Sequence, residues 1–186
     1  FDRPSGLAFD NAGNLYVAEE SNHTIRKISS SLVVTTVAGV NHIGAGPGAG
    51  GFADGNALTV AEFNTPSGVA VDNAGNIYVA DQNNHRIRKI TPAETVTTFA
   101  GSGPVGSGNG GYTEGPADSA RFNQPYSICH DANNNFYIAD LNNHRIRKIS
   151  GLPPLCNLQA SFTVTDESCP GAEDGAIDLT VTNGTL

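Results

Sequence analysis

Apolar residues along this chain come in short runs, separated by polar and glycine-rich stretches. In the middle of the chain, Gly68 to Val71 is an apolar run that predicts a buried strand. Asp72-Asn73-Ala74-Gly75-Asn76 then predicts a turn, because Asp accepts hydrogen bonds from a turn's own backbone and Gly takes a positive φ without steric cost. Ile77 to Ala80, rich in β-branched and aromatic residues, predicts a second strand, and Gln82 to Asn84 a polar loop. Arg86 to Ile90 predicts a third strand. Thr95 to Ala100, alternating Thr with Val or Phe, predicts a fourth. Ile87 and Ile90 lie an odd number of positions apart and so point to opposite faces of the third strand. Apolar groups on both faces fit a sheet sandwiched between two others better than one with a wet side.

The pattern recurs. Pro4 to Ala18, Pro66 to Asp81 and Pro125 to Asp140 align without gaps, at spacings of 62 and 59 residues. Each copy continues into Asn-His-x-Ile-Arg-Lys-Ile, at Asn22 to Ile28, Asn84 to Ile90 and Asn143 to Ile149. Four strands per unit is the make-up of a propeller blade. The sequence Pro-Ser-Gly-Val-Ala-Val-Asp-Asn-Ala-Gly-Asn-Ile-Tyr-Val-Ala-Asp, followed by Asn-His-Arg-Ile-Arg-Lys-Ile, resembles the NHL repeat.

That resemblance covers residues 4 to 149 and implies an all-β protein: a partial β-propeller of four-stranded blades within residues 1–151. The repeats run about 4–39, 66–101 and 125–151. The departures are local. Glu19 stands where the other copies have Asp81 and Asp140, Thr24 where they have Arg86 and Arg145, and the third copy has Ser127 and Asn134 in place of two glycines. Propellers of this kind have about six blades. Three copies predict an open arc, with the rest of a longer polypeptide completing the ring. The sequence opens in mid-pattern and contains no Met, which also suggests a piece of a longer protein.

Two glycine-rich connections, 39–65 and 101–124, separate the repeats. Both contain Gly-Gly-aromatic-x-acid-Gly, and both end in Phe-Asn-x-Pro, with Phe63 and Phe122 expected to anchor the return. They lack the Lys and Ser or Thr of a phosphate-cradling loop and the spacing of a glycine-rich calcium repeat. They read as excursions at the propeller rim. Because loops on rigid scaffolds often carry function, Phe52, Asp54, Tyr112 and Glu114 are candidate binding-loop residues.

The net charge of −8 argues against nucleic acid, whose partners need basic groups for phosphate. The basic clusters, such as Arg86-Arg88-Lys89, read as one solvated stripe per repeat. No apolar run approaches the roughly 20 residues that span a bilayer.

His23, His85 and His144 recur at one place with Asn22, Asn84 and Asn143 beside them, which suits blade architecture better than a unique reaction centre. Arg86 and Arg145, which follow the His in two copies, are taken with the same motif, expected to satisfy backbone groups at the turn into the third strand. Asp10, Asp72 and Asp131 read as turn braces. His130 breaks the repeat and is a candidate for a central channel, while Cys129 beside it is expected to be buried. No set of metal ligands is predicted and no cofactor is implied; calcium or another divalent metal stays open.

After Gly151 the composition changes. Residues 152–155 predict a stiff Pro-rich linker, and 156–186 begin a different module. Ser161 to Thr165 and Ala176 to Val181 alternate as strands do. With Cys169-Pro170-Gly171 and Asp174 to Val181, the segment from Phe162 to Gly184 resembles the start of the SprB-type repeat. That repeat occurs in large surface proteins of gliding bacteria, often with a type IX secretion signal, so the resemblance implies a truncated β-sandwich-like module and a secreted or cell-surface location. An oxidising compartment would permit a disulfide, and Cys156 with Cys169 is the expected pair.

These features together suggest a non-enzymatic binding or adhesion scaffold, with a protein or carbohydrate ligand at a propeller face or loop. The alternative is a propeller enzyme of the lyase or lactonase type, with a channel metal supplied partly by missing blades.

Overall fold

The computed structural model describes residues 1–40, 50–150, 159–165 and 176–182. It divides into two compact units, Phe1–Ser150 and Gly151–Leu186. In the first unit, each repeat is an antiparallel meander. Blade 1 contains β1 (Pro4–Phe9), β2 (Leu15–Glu19), β3 (Thr24–Ile28) and β4 (Val34–Ala38), paired in that order. The connection to blade 2 contributes a two-residue strand, β5 (Gly55–Asn56). Blade 2 is β6 (Pro66–Val71), β7 (Ile77–Asp81), β8 (Arg86–Ile90) and β9 (Thr95–Ala100), with β5 paired outside β9. Blade 3 shows β10 (Pro125–His130), β11 (Phe136–Asp140) and β12 (Arg145–Ile149). It has three strands among the described residues, within the expected bounds of the third repeat.

The polar stretch after β7 forms a single 3-10 turn, Gln82–Asn84, closed by His85 at φ 57°. The first strands of the blades lie side by side, and glycine sets how closely they approach. A Cβ on Gly68 would stand 2.8 Å from both the Ser127 Cα and the Tyr126 carbonyl oxygen.

The core lies between blades, because each blade is apolar on both faces. Along β7, Ile77 and Val79 pack with Ile25 and Tyr16 of blade 1. Tyr78 and Ala80, on the opposite face, pack with Ile128, Phe136 and Ile138 of blade 3. Ile90 belongs to the first cluster and Ile87 to the second, as their odd spacing requires. Each such side chain, fully removed from water, contributes roughly 1.5–3 kcal/mol.

The end faces lack this cover. Leu7 and Phe9 are 62% and 69% exposed, whereas their counterparts Val69 and Val71 are 5% and 9% exposed beneath blade 1. At the other end Ile146 is 71% exposed, and its counterpart Ile87 is wholly buried. The same geometry corrects the expectation for Cys129, which is exposed. It occupies the place of the buried Ala70, on a face that a further blade would cover.

In the second unit, β13 (Gln159–Thr165) and β14 (Ala176–Thr182) form an antiparallel pair with Phe162 opposite Leu179. The 152–155 linker, Cys156 and Cys169 lie outside the described residues.

Candidate functional site

The recurring polar residues hold each blade together, and they define by contrast what is left for binding. In the first turn of blade 2, Asp72 Oδ1 accepts the backbone N–H groups of Ala74 and Asn76, at 2.9 and 2.8 Å. Its Oδ2 accepts from the Asn76 side chain at 2.8 Å and the Tyr78 hydroxyl at 3.1 Å. Asp10 and Asp131 make the same set of bonds. The side chain of Asn135, then its backbone N–H, hold the Asp131 carboxyl down at about 2.

At the entry to the third strand, Asn84 donates to Asp81 Oδ2 at 2.9 Å and to the Gly51 carbonyl at 2.8 Å. Asn143 repeats both bonds, with Asp140 and Gly111, and Asn22 donates to Glu19 at 3.0 Å. Histidine reaches further than its own turn. His23 Nδ1 accepts the Thr65 N–H, and His85 Nδ1 accepts the Gln124 N–H, both at 3.0 Å, so each imidazole grips the entry of the next blade. His85 Nε2 faces the Gly106 carbonyl at 3.0 Å. Burial pushes His85 below its ordinary value of 6.5, and the Arg86 and Arg121 charges act in the same direction, against Gly106 and Asp140. His144 has the same backbone conformation but is exposed.

Arg86, Arg88 and Arg147 are not part of a solvated stripe, whereas Arg145 is exposed. Arg88 is fully buried and Arg86 nearly so. Arg88 pairs with Asp81 at 2.8 Å and Asp54 at 2.5 Å, and donates to the Ala53 and Glu62 carbonyls. Its guanidinium lies 4.6 Å from the Phe52 ring centre and 5.2 Å from that of Phe63. Arg86 donates to the carbonyls of Ser102 and Gly103. In blade 3, Arg147 pairs with Asp140 and Glu114, both at 2.9 Å, with the Tyr112 and Phe122 rings each 5.0 Å away. Arg145 lies 4.4 Å from Tyr112. The expectation of solvation fails for Arg86, Arg88 and Arg147 because the connections fold back over the third strands, which the repeat alone does not reveal. For the same reason Phe52, Asp54, Tyr112 and Glu114 clamp arginines of their own blade.

His130 sits on β10, where its Nε2 bonds the Val71 carbonyl of β6 at 2.9 Å. The hollow beside it, about 260 Å³, has Leu7, Phe9, Val69 and Ile128 in its wall. Among the described residues, no three His, Cys, Asp or Glu side chains are grouped to hold a metal ion.

The residues that change between repeats converge elsewhere. Four of the positions that vary lie close together: the residue before the repeat's first Pro (Arg3, Thr65, Gln124), the one after it (Ser5, Ser67, Tyr126), and two after the second strand (Glu20-Ser21, Gln82-Asn83, Leu141-Asn142). A polar concavity of about 530 Å³ is lined by Arg3, Glu20, Ser21 and the repeat-constant His23 of blade 1, Asn64, Thr65, Gln82 and Asn83 of blade 2, and Tyr126 of blade 3, with Ser107 from the second connection. Arg3 and Glu20 neutralise each other at 3.0 Å. The amides extend outward, Gln124 donating to Asn83 at 3.5 Å and Asn142 to Gln124 at 3.0 Å. Thr65, a β-branched residue ahead of Pro66, is held at φ 57°, a conformation that costs energy and that local sequence disfavours. None of these residues was singled out from the sequence. Their signal was variation at fixed places in an otherwise constant repeat.

The NHL repeat model matches residues 1–28, 63–90 and 122–149. The three blades are NHL repeats. NHL repeat-containing protein 2 of Homo sapiens is 32% identical to this chain over 154 residues, covering 79% of the chain and 20% of that protein. The chain therefore spans only a fifth of that relative's length. Among solved structures, a Bacteroides thetaiotaomicron protein of unknown function superposes with a TM-score of 0.67 at 27% identity, over 79% of this NHL chain and 34% of its own. An auxiliary nutrient binding protein of the same species superposes with a TM-score of 0.63 at 31% identity, over 76% and 36%. The NHL repeats thus supply a constant frame with a variable polar face.

Proposed function

We propose that this chain is part of a non-enzymatic binding scaffold whose ligand sits in the concavity between the first and second blades and Tyr126. The observation that carries this reading is the convergence of several repeat-variable side chains (Arg3, Glu20, Ser21, Thr65, Gln82, Tyr126) on one hollow, while the repeat-constant Asp and Asn side chains are consumed by bracing. A catalytic centre needs unique groups held in reactive geometry, whereas a binding face needs a rigid frame and adjustable side chains. Similarity to a nutrient binding protein supports the same reading. In the full-length protein, further blades of the same polypeptide cover Leu7, Phe9 and Ile146 and close the ring. The SprB-type resemblance of the tail supports a location outside the cell or on its surface.

The test uses the full-length protein and a Gln82→Ala, Asn83→Ala double variant, screened on glycan and peptide arrays. The variant should lose wild-type binding while staying folded; its melting temperature should fall only slightly, by the loss of the 2.9 Å bond from Asn83 to the Thr65 hydroxyl. Binding that is unchanged in the variant would move the ligand site elsewhere. Fractionation of the native host with an antibody to this chain checks the location; a wholly cytoplasmic signal would overturn it.

A further inference from the structure

We infer that the concavity is a site for an uncharged saccharide, with Tyr126 as its stacking platform; this rests on the concavity being the ligand site. Three observations converge on it. The first is charge. Arg3, the one arginine in the wall, is matched at 3.0 Å by Glu20, so the hollow offers neither an unmatched guanidinium to an anionic ligand nor an unmatched carboxylate to a cationic one. The second is the rest of the wall, where hydroxyls and primary amides predominate (Ser21, Asn64, Thr65, Gln82, Asn83 and Ser107) beside the imidazole of His23. Each amide carries two donors and an acceptor, and each hydroxyl both donates and accepts. Adjacent hydroxyls of a sugar ring need that mixture, and an apolar ligand would displace water from these groups without replacing its hydrogen bonds.

The third is Tyr126. Its counterparts in the other repeats, Ser5 and Ser67, tie each blade to the next: Ser5 Oγ donates to the Ser67 carbonyl at 2.9 Å, and Ser67 Oγ to the Tyr126 carbonyl at 2.8 Å. A tyrosine cannot take up that short contact, so this substitution gives up a structural bond. In exchange it places an aromatic ring, 43% exposed, at the edge of an otherwise polar hollow. The face of an aromatic ring is electronegative. The axial C–H groups of a pyranose, polarised by their oxygens, present the complementary positive face, while the equatorial hydroxyls turn toward the amides. The hollow's volume falls in the range of small-ligand sites.

The experiment is titration calorimetry on the full-length protein with short neutral oligosaccharides of glucose, mannose, galactose and N-acetylglucosamine. Parallel arms use uronic-acid or sulfated oligosaccharides and peptides. At least one neutral oligosaccharide should bind. Tyr126→Ala should weaken that binding roughly five- to tenfold, and Tyr126→Phe should retain it within about threefold, because the ring face is kept. Equal affinity of Tyr126→Ala and wild type, no binding of any neutral sugar, or binding confined to acidic sugars would overturn the assignment. Binding of peptides only, lost in the Gln82→Ala, Asn83→Ala variant, would also overturn it while leaving the concavity as the ligand site. Indifference of every bound ligand to that double variant would instead remove the site itself.

Discussion

His85 of blade 2 accepts, through Nδ1, the backbone N–H of Gln124 at the entry to blade 3, at 3.0 Å. His23 holds Thr65 in the same way. The histidine of the repeat is therefore a latch between blades, and it fixes the residues that line the polar hollow.

Removing the latch leaves a backbone N–H without its partner. His85→Ala should destabilise by about 1–3 kcal/mol, and His23→Ala by a similar amount. His144→Ala should cost well under 1 kcal/mol in this chain, because His144 is exposed beyond the last blade. Urea denaturation of the three variants checks the order.

The same latch predicts a pH dependence. The folded-state value of His85 is depressed below 6.5. The unfolded chain therefore takes up a proton first as pH falls, and proton uptake favours unfolding. The stabilisation is complete above the ordinary histidine range and is lost as pH falls through it and on through the folded value. Melting temperature should fall between about pH 8 and pH 5, and His85→Gln should flatten that slope. An unchanged slope in the variant would remove His85 from the effect.

Arg88 is buried against Asp81, itself buried, and Asp54, whose side chain is 42% exposed. Arg88→Ala strands the Asp81 carboxylate in the interior and should cost about 3–5 kcal/mol. Asp54→Ala removes a partner that water partly screens and should cost about 1 kcal/mol or less. Equilibrium unfolding of both variants tests the asymmetry.

Gly68→Ala should separate the inner strands β6 and β10, since its Cβ would meet backbone at 2.8 Å. A loss of about 1–3 kcal/mol is expected. Ser127→Ala, at the exposed equivalent position in blade 3, should be near neutral. Thermal melts of the pair provide the comparison.

The open faces carrying Leu7, Phe9 and Ile146 should make the isolated 186-residue chain self-associate, because exposed apolar patches drive association. Sedimentation velocity across a concentration series should show species larger than the monomer. A chain that stays monomeric throughout would contradict this.

The blades were legible in the chain because their information is local and repeated. Asp72, Gly75 and Asn76 specify a turn within five residues, and Ile87 and Ile90 specify two buried faces within four. Tertiary structure alone decided the fate of the arginines and of the glycine-rich connections. Arg88 is an ordinary polar residue in its strand until a segment more than twenty residues upstream folds over it with Asp54, Phe52 and Phe63. The hollow is likewise non-local, joining residues as distant as Arg3 and Tyr126 that no window of sequence contains. Repetition writes the frame into every copy, but a site made where copies meet exists only once the blades are packed.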